Sequence, residues 1–366
     1  MLYLIYPKKG GFILNKRISL LLAGLLIFTA TGCENKNRKT VVTDTTSEST
    51  TVRVTTKTTK PKHTTTARHT TTEKPSTTTS QTTMVETTET LSPTTAHHET
   101  TTTEQTTSGK VRPGSKTNIA FNESWEFADS SIIHTGCAVL YKARGNRRKN
   151  ITIGVNAGHG TVGGTNVYTY CHPDRTPKTT GGSTQAGALK AIAVSSGMCL
   201  YDGTPEADVT LRIAQIFRDK LLAEGFDVLM LRDDSDVQLD NIARTIMCNN
   251  NADCHISLHI DGDGLDYNKG CFYASVPDGI KNMYPVSEVW QESNALGESL
   301  ISGLQKNGAA IYNSGSAPID LTQTSYSKVP SIDIELGNAA MQHDDSALGI
   351  LCDGMVIGIK SYYDVN

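Results

Sequence analysis

Ile151-Thr-Ile-Gly-Val-Asn-Ala-Gly-His-Gly160 is the stretch of sequence that decides the fold. Ile151, Ile153 and Val155 alternate as the residues of a strand do, and the strand stops at a histidine between two glycines. Ligands of open α/β sheets bind beyond the carboxyl ends of the strands, so His159 lies where a functional side chain is expected.

Three helices are predicted downstream of this strand. Thr204-Pro205 precedes an apolar helical repeat that Gly225 ends, which places Glu206 in the first turn of the helix. A second amphipathic helix is predicted to begin near Asp236, and a closing helix follows from Leu348 to Ile359.

Three more strands alternate with these helices. They are predicted over 226–231, 254–260 and 331–338. In the second, His255 and His259 share a face, but they are separated by about 13 Å along a strand. His259 lies at the strand's end and is the candidate for function, whereas His255 is interpreted as structural. In the third, Glu335 emerges near the end of the strand.

Two histidines and two carboxylates therefore converge at one edge of one predicted sheet. Two His and one Glu, with water in the fourth position, form a known ligand set for hydrolytic zinc. A further carboxylate beside that water can take its proton and pass a proton to the leaving nitrogen of an amide.

The order of these motifs resembles the zinc-dependent N-acetylmuramoyl-L-alanine amidases of type 3. The resemblance rests on Ala-Gly-His-Gly, a Glu at a helix start, an Arg after a strand, Ala-Asp-x-x-x-Ser-x-His and Ile-Glu-Leu-Gly, and it covers about Ile151 to Tyr363. It implies one α/β domain with a twisted, mostly parallel central sheet flanked by helices on both faces. It also implies that zinc is the cofactor and peptidoglycan the substrate. The site residues that it implies are the zinc ligands His159, Glu206 and His259 and the catalytic carboxylate Glu335.

Three features depart from the pattern of that family. Asn156 stands where Asp is common, which removes a possible acceptor for a metal-bound histidine. Asp261 follows His259 where Asn is usual and adds a negative charge. The Gly- and Thr-rich excursion from Thr161 to Gly203 is longer than the family's connection, which suggests a lid or a substrate-selecting loop. On the lid hypothesis, deleting Gly181 to Ser196 should alter activity on intact wall and leave the metal bound.

The rest of the chain predicts export and tethering. An apolar run follows Lys16 and Arg17 and ends in Ala30-Thr-Gly-Cys33, which resembles a lipobox, so residues 1–33 are predicted to be a lipoprotein signal peptide with Cys33 as the lipidation site. The alternative is an ordinary cleaved signal peptide. Residues 34–116 are rich in Thr and poor in apolar side chains, which is typical of a disordered linker. The catalytic domain is predicted over 117–366, with its core at 151–363 and an edge strand or hairpin from residues 117–150.

Composition and motifs leave two other functions open. The chain has a net charge of -3 and no dense basic patch, so nucleic acid is not an expected partner. The expected location is the outer face of a bacterial membrane and the cell wall, with membrane contact through the lipid only. The alternatives to the amidase are a zinc peptidase acting on wall peptides and a non-catalytic wall-binding protein.

Overall fold

The computed structural model describes residues 114–365 of the chain. The predicted signal peptide, Cys33 and almost all of the Thr-rich segment predicted over 34–116 lie outside the described residues. No helix within 114–365 is both long enough and apolar enough to span a bilayer.

Strands and helices alternate along most of the described chain. The strands are β1 Lys116–Ala120, β2 Cys137–Tyr141, β3 Thr152–Ala157, β4 Tyr168–Tyr170, β5 Lys190–Ile192, β6 Asp227–Met230, β7 Cys254–Asp261, β8 Cys271–Ser275, β9 Ile311–Pro318 and β10 Ser331–Asn338. The α-helices are α1 Glu206–Ala223, α2 Asn241–Asn251, α3 Val286–Lys306, α4 Thr322–Ser325 and α5 Asp345–Tyr362.

One central sheet holds eight of these strands in the order β1-β2-β6-β3-β7-β10-β8-β9. The pairs β6–β3, β3–β7, β7–β10 and β8–β9 are parallel, whereas β1–β2, β2–β6 and β10–β8 are antiparallel. The predicted mostly parallel α/β sheet is therefore confirmed. The β1–β2 hairpin forms the edge that was expected from residues 117–150.

Helices cover both faces of the sheet, as predicted. Helices α1, α3 and α5 pack together on one face, where the apolar side chains of β7 and β10 are buried. These strand residues are Ile256, Leu258, Ile260, Ile332, Ile334 and Leu336. Their polar neighbours on β7 and β10, which include His259 and Glu335, point to the opposite face because strand side chains alternate.

The opposite face is covered by α2, the short α4 and part of the 161–203 excursion. The excursion contains the separate two-stranded sheet β4–β5. Its Ala193 carbonyl accepts a hydrogen bond from the backbone of Asn241 at the start of α2 (3.2 Å). The Tyr326 hydroxyl, buried beside α2, donates to the Tyr170 carbonyl. The excursion thus packs beside α2 and Tyr326 on this face of the sheet.

The predicted start of α2 near Asp236 is wrong by about one helical turn. The helix begins at Asn241, and the carboxylate of the preceding Asp240 accepts the Ala243 N–H at 2.8 Å, as an N-cap does. The Asp240 carboxylate also accepts the backbone N–H groups of Ile132 and Ile133. Asp236 instead accepts the backbone N–H of Gln238, two residues further on, and that of Val162 in the excursion.

Candidate metal centre

The three predicted metal ligands meet at the carboxyl ends of the central strands. His159 Nε2 lies 2.8 Å from Glu206 Oε1. His259 Nδ1 lies 3.1 Å from the same His159 nitrogen and 3.2 Å from the same Glu206 oxygen. Within residues 114–365 this is the one cluster of His, Cys, Asp and Glu side chains with the spacing of a metal site.

Glu206 is the first residue of α1, and two backbone groups fix its carboxylate. Oε1 accepts the Ile260 N–H at 3.0 Å, and Oε2 accepts the Met198 N–H at 3.1 Å. Burial by itself would raise the pKa of Glu206, but the adjacent His159 and His259 rings outweigh it and lower this pKa well below its usual value. The carboxylate is therefore held ionised, and the two backbone N–H groups fix its orientation.

His159 follows β3 in a left-handed backbone conformation, with φ at 67°. A side chain at the preceding Gly158 would collide with the His259 ring, so glycine is required for the two rings to approach. His159 Nδ1 lies 2.9 Å from the Ser195 carbonyl. Because a carbonyl only accepts, this contact places a hydrogen on Nδ1, and a metal-bound His159 would therefore use Nε2, on the side of Glu206 and His259, as its ligand atom.

His259 is the most exposed of the three, with 21% of its side chain accessible. Its Nε2 faces Asp333 Oδ2 at 3.5 Å. Burial opposes a charge on the His259 ring, but the carboxylates of Asp333 and Glu206 raise its pKa to about 10. The carboxylates around the ring thus create a strong preference for positive charge at this point.

Glu335 stands beside His259, because β10 pairs with β7 in parallel and these two residues are register partners. The residue is partly exposed, whereas its Oε2 atom is buried and has no hydrogen-bond partner among the described residues. Burial, followed by the neighbouring Asp333 charge, raises the pKa of Glu335 well above its usual value. Its position beside His259 is the one that an acid–base group would need.

Two fully buried arginines support the loop that carries His159. Arg244 of α2 donates to the His159 carbonyl at 2.7 Å and to the Ala157 carbonyl at 3.0 Å. Arg232, which follows β6, donates to the Gly158 carbonyl at 2.9 Å. Burial lowers the pKa of Arg232 to about 10 and that of Arg244, which also faces the Arg232 charge, to about 9. Both guanidiniums remain charged at pH 7.

Asn156 and Asp261, the two residues that depart from the pattern of the resembled family, both form hydrogen bonds or ion pairs with neighbouring side chains. Asn156 donates to Ser257 Oγ at 3.1 Å, and its carbonyl oxygen accepts from Arg244 at 3.0 Å. Asp261 forms an ion pair with Lys269, which also lies 3.0 Å from Asp263 Oδ2. The charge of Asp261 is therefore compensated locally, and Asn156 orients the arginine rather than a histidine.

His255, interpreted as structural, is buried away from the three predicted ligands and is not part of their cluster. Neither of its ring nitrogens has a hydrogen-bond partner among the described residues. Burial, together with the Arg244 charge, lowers the pKa of His255 to about 3. The ring is therefore neutral at physiological pH.

The donor set of the cluster fits zinc. Two imidazole nitrogens and one carboxylate oxygen are ligands that zinc accepts, and tetrahedral ligands at about 2.0–2.1 Å from the ion lie about 3.3 Å apart. The observed separations of 2.8 to 3.2 Å are close to that value. Gly197 adds to the fit, because a Cβ there would lie 2.8 Å from His159 Cδ2 and 2.9 Å from Glu206 Oε2.

Some residues of the site were missed by the sequence analysis. Ser195 and Met198 lie in the excursion, far in sequence from the ligands that they contact, and no local signal marks them. The sequence did contain a signal for Asp333, because its alternation with Ile332 and Ile334 places it on the same strand face as Glu335. The position of that face beside His259 depends on the order of the strands, which the sequence does not show.

Comparison with known proteins agrees with this architecture. Residues 153–349 match the family model described as N-acetylmuramoyl-L-alanine amidase, and this range contains all four predicted site residues. The chain belongs to this amidase family. A separate search of curated proteins found no match to the chain.

Solved amidase structures are similar to this amidase domain. The N-acetylmuramyl-L-alanine amidase Ami1 from Mycobacterium smegmatis has 18% identity and a TM-score of 0.50, covering 60% of this chain and 99% of that chain. Ami1 from Mycobacterium abscessus has 21% identity and a TM-score of 0.47, covering 58% and 99%. The CwlD amidase from Clostridioides difficile, in complex with the GerS lipoprotein, has 19% identity and a TM-score of 0.43, covering 59% and 100%. The likeness to the M. smegmatis structure supports the fold.

Proposed function

We propose that the protein hydrolyses the amide bond between N-acetylmuramic acid and L-alanine in peptidoglycan, with zinc as its cofactor. The observation that carries this proposal is the convergence of His159 Nε2, Glu206 Oε1 and His259 Nδ1 beside Glu335 in a chain of this family. His159, Glu206 and His259 would hold the ion. When bound, zinc lowers the pKa of a coordinated water from about 15.7 toward 7 and polarises a carbonyl group.

Glu335 is the acid and base of the proposed reaction. Its carboxylate accepts a proton from the attacking water as the water oxygen bonds to the amide carbon. The same carboxyl group then gives a proton to the nitrogen as the carbon–nitrogen bond breaks, so the products are a carboxylate on the muramic acid and a free L-alanine amine. The position of Glu335 suits both halves of this exchange, because the residue stands beside His259 as its register partner, next to the place where the ligands would hold the ion.

The proposal extends to where the enzyme works. Cys33 is proposed as the site of a lipid anchor on the outer face of the membrane. The Thr-rich segment of residues 34–116 is proposed as the tether that lets the domain reach the cell wall. Labelling with a radioactive fatty acid tests this step, since Cys33→Ala should remove both the label and the membrane association of the protein.

Muropeptide release from purified peptidoglycan tests the activity. Wild type should contain about one zinc ion and release intact stem peptides with a free L-alanine amino terminus. Glu335→Gln should retain the metal and lose about 10²- to 10⁴-fold in rate, the usual contribution of a general acid–base group. Glu292→Gln, an exposed residue of α3, is the matched control and should behave as wild type.

The products separate the alternatives. Truncated peptides that leave muramic acid substituted would identify a peptidase. Binding of peptidoglycan without any release, by a protein that holds no zinc, would identify a wall-binding protein and refute the proposed chemistry.

A further inference from the structure

The two nitrogens of the His259 ring face different surroundings. Nδ1 points at His159 Nε2 and Glu206 Oε1, so it is the nitrogen that belongs to the candidate ligand set. Nε2 points away from that set and faces Asp333 Oδ2 at 3.5 Å. The ring thus stands between the metal position and a carboxylate.

The backbone places Asp333 behind this ring. In the parallel pairing of β10 with β7, Asp333 is the register partner of Ser257, and Glu335 is the partner of His259. Asp333 therefore lies two residues, about 6.6 Å, further from the carboxyl end of the strand than Glu335. Only 15% of the Asp333 side chain is exposed, and His259 is its sole ion-pair partner within residues 114–365.

The other histidine of the set has an uncharged partner in the equivalent place. His159 Nδ1 donates to the Ser195 carbonyl at 2.9 Å, and Ser195 Oγ lies 3.0 Å from the same nitrogen. Metal-binding histidines usually donate their second ring N–H to a carbonyl or a carboxylate, which fixes the tautomer and the ring orientation. A carboxylate also increases the basicity of the ligating nitrogen, because it stabilises positive charge on the ring.

We propose that Asp333 is a positioning residue for His259: its carboxylate receives the Nε2 hydrogen, holds the ring with Nδ1 toward the metal and strengthens this nitrogen as a ligand. The inference rests on the proposed zinc site. It assigns the two carboxylates of β10 different tasks. Glu335 meets the reacting atoms, whereas Asp333 acts only through His259.

Zinc affinity tests the inference without relying on turnover. The dissociation constant is measured by competition with a chromophoric chelator, using wild type, Asp333→Ala, Asp333→Asn and Glu335→Gln. Loss of a partner behind a ligand typically weakens metal binding about 10- to 100-fold, which is the increase in Kd expected for Asp333→Ala. Asp333→Asn should give a smaller increase, because its amide oxygen can still accept the Nε2 hydrogen but carries no charge. Glu335→Gln should stay within about twofold of wild type, since it touches neither ring nitrogen.

Cobalt substitution supplies a second readout. The visible absorption of bound Co²⁺ reports on its ligands, so Asp333→Ala should shift this spectrum, and Asp333→Asn should restore it in part. Asp266→Asn, an exposed change in the loop after β7, is the matched control and should leave both the spectrum and the zinc affinity unchanged.

The outcomes distinguish the inference from the proposed function. A wild-type protein that binds no zinc overturns both. A wild type that binds zinc and an Asp333→Ala variant that binds it equally well, with the same cobalt spectrum, overturn the inference alone. Thermal unfolding of the metal-free proteins shows whether Asp333→Ala folds. If it does not, the nearly isosteric Asp333→Asn decides, and a Kd and cobalt spectrum equal to those of wild type refute the role of Asp333.

Discussion

Replacing Arg244 by Met should destabilise the protein by about 3 kcal/mol and weaken zinc binding with it. The buried guanidinium makes five hydrogen bonds, whose acceptors are the Leu239, Ala157 and His159 carbonyls, Asn156 Oδ1 and Thr161 Oγ1. Methionine fills a similar space but donates none of these bonds. The change therefore separates the hydrogen bonds of Arg244 from its volume.

The magnitude follows from the acceptors that have no second donor. The Leu239 carbonyl also accepts from Thr161, and the Ala157 carbonyl also accepts from Arg232, so both stay paired in the variant. Within residues 114–365, the His159 carbonyl and Asn156 Oδ1 are left without a donor. Each orphaned acceptor costs about 1–3 kcal/mol, hence roughly 2–6 kcal/mol in all. Removing a buried cation, whose pKa burial lowers to about 9, offsets part of this loss.

Denaturation of the metal-free protein by urea measures the loss. Arg212→Met is the matched control, because Arg212 is half exposed and pairs with an exposed Asp345, so the change should cost less than about 1 kcal/mol. Zinc titration of the same samples should show weaker binding by Arg244→Met, since the His159 carbonyl loses its anchor. An Arg244→Met variant as stable as the Arg212→Met control would refute this account of the buried arginine.

Three further changes test other parts of the structure. Asp227→Asn should cost roughly 3 kcal/mol at pH 7, because buried Asp227 pairs with Lys142 and Arg148. Burial would raise the pKa of Asp227, but these cations lower it overall. The stability that the ion pairs contribute is therefore present above about pH 4, the unfolded-state pKa, and is lost as the pH falls through the folded-state pKa. Urea midpoints of wild type and variant should therefore converge in acid, and a constant gap would contradict the ion-pair account. Gly197→Ala should abolish or strongly weaken zinc binding, because its Cβ would lie 2.8 Å from His159 Cδ2 and the backbone there has a φ of 77°. Unchanged affinity in a chelator titration would show that the close approach of Gly197 to the ligands is not required for metal binding. Replacing residues 183–186, an exposed stretch of the 161–203 excursion, by two glycines should leave the zinc affinity within about twofold of wild type. A larger fall in affinity would show that this stretch supports the metal site.

Local sequence pattern was enough for the parts of the fold that carry the candidate ligands. Strict alternation predicted β3, which leads to His159, and β7, which carries His259, and the Thr204-Pro205 start signal placed Glu206 in the first turn of α1. Both kinds of pattern arise because each element buries one face, so the spacing of the apolar residues shows which side chains point away from the core. The resemblance of the motif order to one enzyme family supplied the chemistry that alternation alone leaves open.

Non-local pairing limited the rest of the prediction. The contact of Asp333 with His259 exists because β10 lies next to β7 in register, an arrangement that neither strand encodes by itself. The start of α2 was placed too early because two aspartates, Asp236 and Asp240, both have the chemistry of a helix cap. Tertiary contacts decide between them, since the carboxylate of Asp240 also binds the backbone at Ile132 and Ile133. No element was predicted between β7 and β10, where the helices α3 and α4 and the strands β8 and β9 lie.

The excursion from Thr161 to Gly203 is part of the candidate metal centre, which changes how its role can be tested. Ser195 holds the outer nitrogen of His159, and Met198 holds the Glu206 carboxylate. At its other side, the buried His172 ring lies 2.9 Å from Asp320 Oδ1, beside α4. A deletion of Gly181 to Ser196 would remove β5 and the Ser195 carbonyl together. These contacts do not support the expectation that such a deletion spares the metal, because it would remove the partner of a candidate metal ligand. A loss of activity would then not show that the excursion acts as a lid. Residues of the excursion on both sides of its exposed stretch 183–186 are thus hydrogen-bonded to the rest of the domain, so a replacement confined to that stretch is the cleaner test of a role in substrate selection.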